Sequence, residues 1–309
     1  MVASGSRQDT LRRLMPLGLF LLLLYLGTIG LLAAAVFSLL WTRRARGFRR
    51  PVKERMLRPA GNSLAEKVSE LGENALMWCL MAVLLPVVVA TILVLGVEWT
   101  TRIPSAKALG AALIAIALFV PLAWRFIVIG KRYVNHQLGL SGERAVAEQL
   151  QELVRMGCYI FHDLQPAKTW NIDHIVVTPE SVLVVETKTR RMRKRGNDTA
   201  AHEVVFDGRQ LHFPQWSDTH GLQQAERNAG WVRVFLGKAL GEPVKVEPVL
   251  ALPGWMVRRK GRGPVYVVNP KEVRALVRAR GSQTISPTQT KRMSQIAFAL
   301  DQKCRDVEF

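Results

Sequence analysis

Three apolar runs constrain this chain more than any other feature. Residues 15–41, 75–97 and 108–129 are built mainly from Leu, Ala, Val, Ile and Phe, and Arg125 is the only charge within them. At helical rise, about 20 residues cross roughly 30 Å of hydrocarbon, where backbone N–H and C=O groups find partners only inside a helix or a closed barrel. Each run is therefore expected to be a transmembrane helix, making residues 1–130 a membrane anchor. Pro86 and Pro121 fall inside these helices, where neighbouring helices can satisfy the freed carbonyls at the cost of a kink. For the first run the alternative is a signal peptide cleaved near Ala33–Ala35, although the run is longer than an ordinary signal sequence.

Charge orients the helices. The chain carries 43 Lys and Arg against 24 Asp and Glu, a net +19 spread over residues 1–130 and 131–309 alike. With 49% hydrophobic residues, these totals exclude a disordered polyelectrolyte. Between the first and second runs stand Arg43, Arg44, Arg46, Arg49, Arg50, Lys53, Arg55 and Arg58, whereas the next connection holds only Glu98, Arg102 and Lys107. The positive-inside rule then places the first connection in the cytoplasm, and the third helix returns the remaining chain there. The expectation is a multi-pass protein of a bacterial inner membrane with a cytoplasmic carboxy-terminal domain and membrane lipid as one partner. Arg125 is the one ionisable residue at membrane depth, so the helices suit an anchor better than a transporter.

Cysteine chemistry is excluded early. Cys79, Cys158 and Cys304 are isolated, without zinc spacing or a disulfide framework, and the His residues show no metal-protease spacing.

Residues 131–140 read as a linker, followed by a core over 141–252 and an extension over 253–309. Ser141 is an expected N-cap with Glu143 in the first turn of a helix that Gly157 stops. Short Val- and Ile-rich runs predict strands at 158–164, 172–178 and 182–187, a hairpin at 203–206 and 210–213, and strands at 246–252 and 265–268. Helices are expected over 222–240, 271–280 and 287–303. The order is α-β-β-β-α-β with additions, an α/β domain around a central mixed β-sheet flanked by helices.

A tight turn at Pro179-Glu180 makes 172–178 and 182–187 an antiparallel hairpin, with Ile175 opposite Val184 and Asp173 opposite Glu186. Side chains alternate along a strand, so Asp173, Glu186 and Lys188 share one face at the open end. Two carboxylates about 5 Å apart repel by roughly 3 kcal/mol at an effective dielectric near 20. A hard divalent cation such as Mg²⁺ (or Mn²⁺) would neutralise them. Lys188, in the same field, could orient an attacking water or stabilise charge on a phosphoryl group. His174 points to the opposite face and is expected to be a satisfied core histidine.

These residues resemble a family. Ser-Gly-Glu at 141–143, Ile-Asp-His-Ile-Val-Val at 172–177, Val-Leu-Val-Val-Glu-Thr-Lys at 182–188 and Gln-Ala-Glu-Arg-Asn-Ala at 224–229 are similar to the nuclease-related domain, NERD, of the PD-(D/E)xK restriction-endonuclease-like superfamily. The resemblance implies a Mg²⁺-dependent hydrolase acting on phosphodiester bonds of DNA or RNA. It implies Asp173 and Glu186 as metal ligands, Lys188 as the catalytic lysine, Glu143 as an accessory acid and Gln224 as a polar residue offered by the second helix.

Past Lys188 runs a basic stretch of Arg190, Arg191, Arg193, Lys194 and Arg195, which suits either phosphate groups of nucleic acid or an anionic lipid surface. Arg258, Arg259, Lys260 and Arg262 read as a second basic loop. Two functions compete: a membrane-anchored metal-dependent nuclease, and a catalytically inactive nucleic-acid-binding or membrane-surface scaffold.

Overall fold

The computed structural model describes residues 56–95, 105–167, 169–192, 202–279 and 285–305, with Gly27, Gly30, Leu31, Ala34 and Ser38 as isolated helical positions. The first expected span, apart from those five positions, lies outside the described residues. The other two are helices: α1 covers Asn62–Leu95 and α2 covers Ser105–Val154, with Pro86 and Pro121 inside them. Both carry stretches long and apolar enough to cross a membrane, so two candidate spans are found among the described residues rather than three. Of their most apolar windows, 11% and 0% is buried within the protein, unlike the core helix of a soluble domain. Leu113, Ile116 and Trp124 expose 58%, 57% and 68% of their surface, as side chains facing lipid would.

The chain divides into two units. One comprises residues 1–53 and 71–132, and the other residues 54–70 and 133–309. In the first, the Arg125 guanidinium lies 5.5 Å from the Trp78 ring centroid, a cation–π contact for its one mid-span charge. The second unit is thus assembled from two stretches of sequence with the apolar segment between them.

In the second unit, β1 (Tyr159–Ala167), β2 (Trp170–Val177) and β3 (Val182–Thr187) are followed by β4 (Glu203–Phe206), β5 (Leu211–His212) and β6 (Ser217–Asp218). Helix α3 (His220–Leu240) leads to β7 (Val246–Ala251), β8 (Met256–Arg259) and β9 (Tyr266–Val268). The chain then forms α4 (Val273–Arg278) and α5 (Pro287–Cys304). The main sheet has the order β1-β2-β3-β7-β9, antiparallel from β1 to β3 and parallel from β3 to β9.

Every residue of β3 is buried, which explains the apolar run Val182–Val185 that fills most of it: helices cover both sheet faces. Ile175, Val177, Val182 and Val184 pack with Val232 and Leu236 of α3 and Ile296 and Leu300 of α5. The alternate residues Val176, Leu183 and Val185 pack with Val146, Leu150 and Leu153 of α2 and Val273 of α4. A smaller sheet, β6-β5-β4-β8, closes a third cluster around Trp255. Helix α5 starts as its sequence dictates: Ser286 Oγ accepts from Gln289 N–H, Gln289 Oε1 accepts from Ser286 N–H, and Pro287 stands at the first turn.

Two local expectations are corrected. Ser141 does not cap a helix. Helix α2 runs unbroken through residues 131–140, and Ser141 Oγ donates to the Leu138 carbonyl one turn back. Lys131–Leu140 contains no proline, and Gly139 alone costs a helix only about 1 kcal/mol, too little to end one. Arg258 and Arg259 are not in a loop but in β8, parallel to β4, where Arg258 pairs with Glu203 and Arg259 with Glu272.

Candidate active site

The β2–β3 ladder pairs His174 with Val185, Ile175 with Val184 and Val177 with Val182, the register read from the sequence. One step further, Asp173 stands opposite Glu186. Both are nearly inaccessible, at 4% and 1% exposure, and Asp173 Oδ2 accepts from Thr187 N–H at 2.7 Å. Glu186 is held on both oxygens: Oε1 accepts from Lys188 Nζ at 2.8 Å and Oε2 from Asn228 Nδ2 at 2.8 Å.

Helix α3 supplies the next layer. Gln224 Oε1 accepts from Lys188 Nζ at 2.9 Å, and one turn later Asn228 reaches Glu186. An i, i+4 spacing puts both amides on the same helical face. Asn228 is fully buried and also accepts from Trp170 Nε1 at 2.8 Å. Sequence reasoning quoted Asn228 within the 224–229 stretch but gave it no role; its position four residues after Gln224 was the available signal. Trp170 carried no such signal.

Glu143 comes from α2 and is buried. Gly142 lets the helix approach: a Cβ there would overlap the Thr189 hydroxyl just past Lys188. On the other side stands Gly61, at φ +71°, where a Cβ would meet Leu140 Cδ1 at 2.6 Å and Glu143 Oε2 at 3.3 Å. The segment preceding α1 therefore lines the same pocket of carboxylates. Its anchor is Asp163 on β1, itself at φ +48°. Asp163 accepts from Arg58 Nε at 2.8 Å, Ser63 N–H at 2.8 Å and Asn171 Nδ2 at 2.9 Å.

Electrostatics follow from burial. Desolvation raises the Asp173 carboxyl well above its ordinary range, and Glu186 and Glu143 push it further. Glu186 is raised by desolvation, with Lys188 opposing. Glu143 is pushed up to about 8, first by burial and then by Asp163 and Glu186, and its Oε2 has no hydrogen-bond partner. Three buried carboxyl groups thus face the ammonium of Lys188, with Lys67 also acting on Glu143 and Arg227 on Glu186. A hard divalent cation would suit this surplus of oxygen donors, and Asp173 and Glu186 are the residues that could hold it. Among the described residues no three His, Cys, Asp or Glu side chains are already gathered closely enough to hold a metal.

His174 lies on the other sheet face, wholly buried. It is only half satisfied: its Nδ1 is 2.9 Å from His162 Nδ1, while Nε2 is unpartnered. Of the basic stretch, Arg190 is committed to Asp218 at 2.6 Å and the exposed Arg191 donates to Asn135 Oδ1 at 2.9 Å. Arg193, Lys194 and Arg195 lie outside the described residues.

A nuclease-related domain, NERD, is found at residues 138–253, which span the helix bearing Glu143 through to β7. A stretch of 93 residues, 29% of the chain, is 33% identical to an uncharacterized protein of Bacillus anthracis. It covers 42% of that relative, so the chain spans less than half of the relative's length. No solved structure matches at a significant level.

Proposed function

We propose that this protein is a membrane-anchored, metal-dependent nuclease of the restriction-endonuclease-like type, hydrolysing phosphodiester bonds of DNA or RNA. The observation that carries the reading is the convergence of Asp173, Glu186, Lys188 and Gln224 through the β2–β3 register and α3. The nuclease-related domain at residues 138–253 supports it independently.

Asp173 and Glu186 would hold Mg²⁺ or Mn²⁺, which when bound supplies Lewis-acid stabilisation of phosphoryl charge and makes water a better nucleophile. The protein's own groups do the positioning. Lys188 has three donors; Glu186 and Gln224 take two, leaving the third to orient water or to meet a phosphate oxygen. Gln224 fixes the rotamer of that lysine. Glu143, protonated at neutral pH by its burial, can give a proton to a departing oxygen or become a further ligand once a cation lowers its pKa.

The anchor reading has support of its own. Residues 71–132 leave the second unit after Glu70 and re-enter it at Tyr133, so a membrane they cross must be crossed an even number of times. Two apolar helices satisfy that condition. The basic residues before α1 favour the cytoplasmic side for the unit bearing the carboxylates. The test is a cleavage assay of the full chain in detergent micelles, with Mg²⁺, Mn²⁺ or EDTA, on single- and double-stranded DNA and RNA. Salt-sensitive binding without cleavage under any metal would instead favour the scaffold reading.

A further inference from the structure

A cavity of about 160 Å³ lies beside the carboxylates, between the first turns of α1 and the end of the β1–β2 hairpin. The helix contributes Glu66, Lys67 and Glu70 to its wall, and the hairpin contributes Gln165, Trp170 and Asn171. Two chains of contact join it to the site above. Trp170 Nε1 donates to Asn228, whose amide donates to Glu186. Asn171 and Ser63 both donate to Asp163.

The lining says what would fit. Among the described lining residues two exposed carboxylates, Glu66 and Glu70, stand against one ammonium, Lys67, which disfavours a phosphate. Gln165 and Asn171 each spend an N–H on the network around Ser63 and Asp163 and keep a side-chain carbonyl oxygen for another partner. The walls are thus rich in acceptors, with the half-buried indole of Trp170 beside them, an aromatic ring that already has the Arg227 guanidinium 5.5 Å from its centroid. A planar, uncharged group bearing N–H donors meets all three conditions. Unpaired nucleobases with exocyclic amino groups have that chemistry: aromatic side chains take their faces, and carboxylate or amide oxygens accept from their amino edges.

We propose that this cavity is a nucleobase subsite, which receives an unpaired, amino-bearing base from the strand whose phosphodiester lies at Asp173, Glu186 and Lys188. The assignment rests on the nuclease reading for the location of the strand. A base still in a duplex has its Watson–Crick edge occupied and is excluded until it is unpaired. Seating a base against Trp170 would also be felt at Glu186 through Asn228, so the subsite couples strand recognition to the carboxylates.

The experiment measures binding of fluorescently labelled short oligodeoxycytidylate, oligothymidylate and a mixed-sequence duplex to the full chain in detergent micelles. Each is titrated in EDTA and in Ca²⁺. Oligodeoxycytidylate is expected to bind about tenfold more tightly than oligothymidylate, which lacks the amino group, and more tightly than the duplex. The double variant Glu66→Leu/Glu70→Leu changes only exposed side chains and removes two of the four acceptor groups, and it should reduce the preference for cytosine several-fold while keeping thymidylate binding. Trp170→Phe should weaken both single strands. Equal affinity for the three probes, a cytosine preference undiminished in the double variant, or no binding in either condition would overturn the proposal. Cytidine monophosphate competing as well as the oligonucleotide would overturn the assignment to a strand. Base-selective binding by a chain that cleaves nothing upholds the subsite and refutes hydrolysis. Metal-dependent cleavage without base selectivity does the reverse.

Discussion

Arg58 and Asp163 meet at 2.7 Å with side chains 2% and 0% exposed, although the whole apolar segment 71–132 separates them in sequence. The pair ties the stretch before α1 to β1, beside the carboxylates. Removing one partner of such a pair leaves a buried, uncompensated charge. Arg58→Ala is therefore expected to destabilise the second unit by about 3–5 kcal/mol, whereas Arg58→Met with Asp163→Asn, which removes both charges but keeps an acceptor and a residue that tolerates the left-handed backbone, should recover part of that loss. Unfolding midpoints in detergent micelles check both. A fragment starting at residue 131 lacks Arg58 and Ser63 and should behave like the single variant.

Gly142 supplies a second prediction, in which the usual sign reverses. Glycine to alanine inside a helix ordinarily stabilises by about 1 kcal/mol. Here the added methyl would overlap Thr189 Oγ1, so Gly142→Ala should lower the unfolding temperature, and Thr189→Gly in the same chain should restore it.

The paired histidines predict a pH dependence. His162 is pushed down to about 4, chiefly by desolvation against the opposing charge of Asp163, and His174 is lowered further in the same direction. Between about pH 6.5 and pH 4 the unfolded chain binds the His162 proton and the folded chain does not. Its contribution is therefore fully present above pH 6.5, falls as pH drops, and is gone below about 4, a loss on the order of 3 kcal/mol. Unfolding midpoints across that range should show this slope, reduced in His162→Gln.

Asn228 holds Glu186 Oε2 and accepts from Trp170, so it acts on the reaction through Glu186. Asn228→Ala should lower metal affinity and cleavage by tenfold or more, as loss of a ligand-orienting partner does. Asn228→Asp, which sets another carboxylate against Glu186, should be worse. Metal titration followed by the cleavage rate separates the two effects.

What the sequence could and could not disclose follows from the range of each interaction. The β2–β3 register was legible because a short turn and strict alternation determine it locally, and it brought Asp173 opposite Glu186. Gln224 came with the family resemblance as a polar residue of the second helix; that it meets Lys188 is seen only in the fold, which sets the two 36 residues apart in sequence side by side. Arg58 read as one more topogenic arginine, because nothing in its neighbourhood announces an aspartate 105 residues away. Strand β8 was missed because its arginines look like loop residues until Glu203 and Glu272 neutralise them. The Ser141 cap failed because Gly139 is too weak a breaker to end a helix already continuing from the apolar segment.

The central claim is that Asp173, Glu186 and Lys188 form one hydrolytic site. Its most direct test is phosphodiester cleavage by the full chain in micelles with Mg²⁺ or Mn²⁺, compared with Asp173→Ala, Glu186→Ala and Lys188→Ala. Metal-dependent cleavage that EDTA stops and that each substitution abolishes is expected, with circular dichroism showing the folded state preserved. Cleavage that persists unchanged in all three variants would contradict the claim, as would a folded, metal-supplied chain that cuts neither DNA nor RNA.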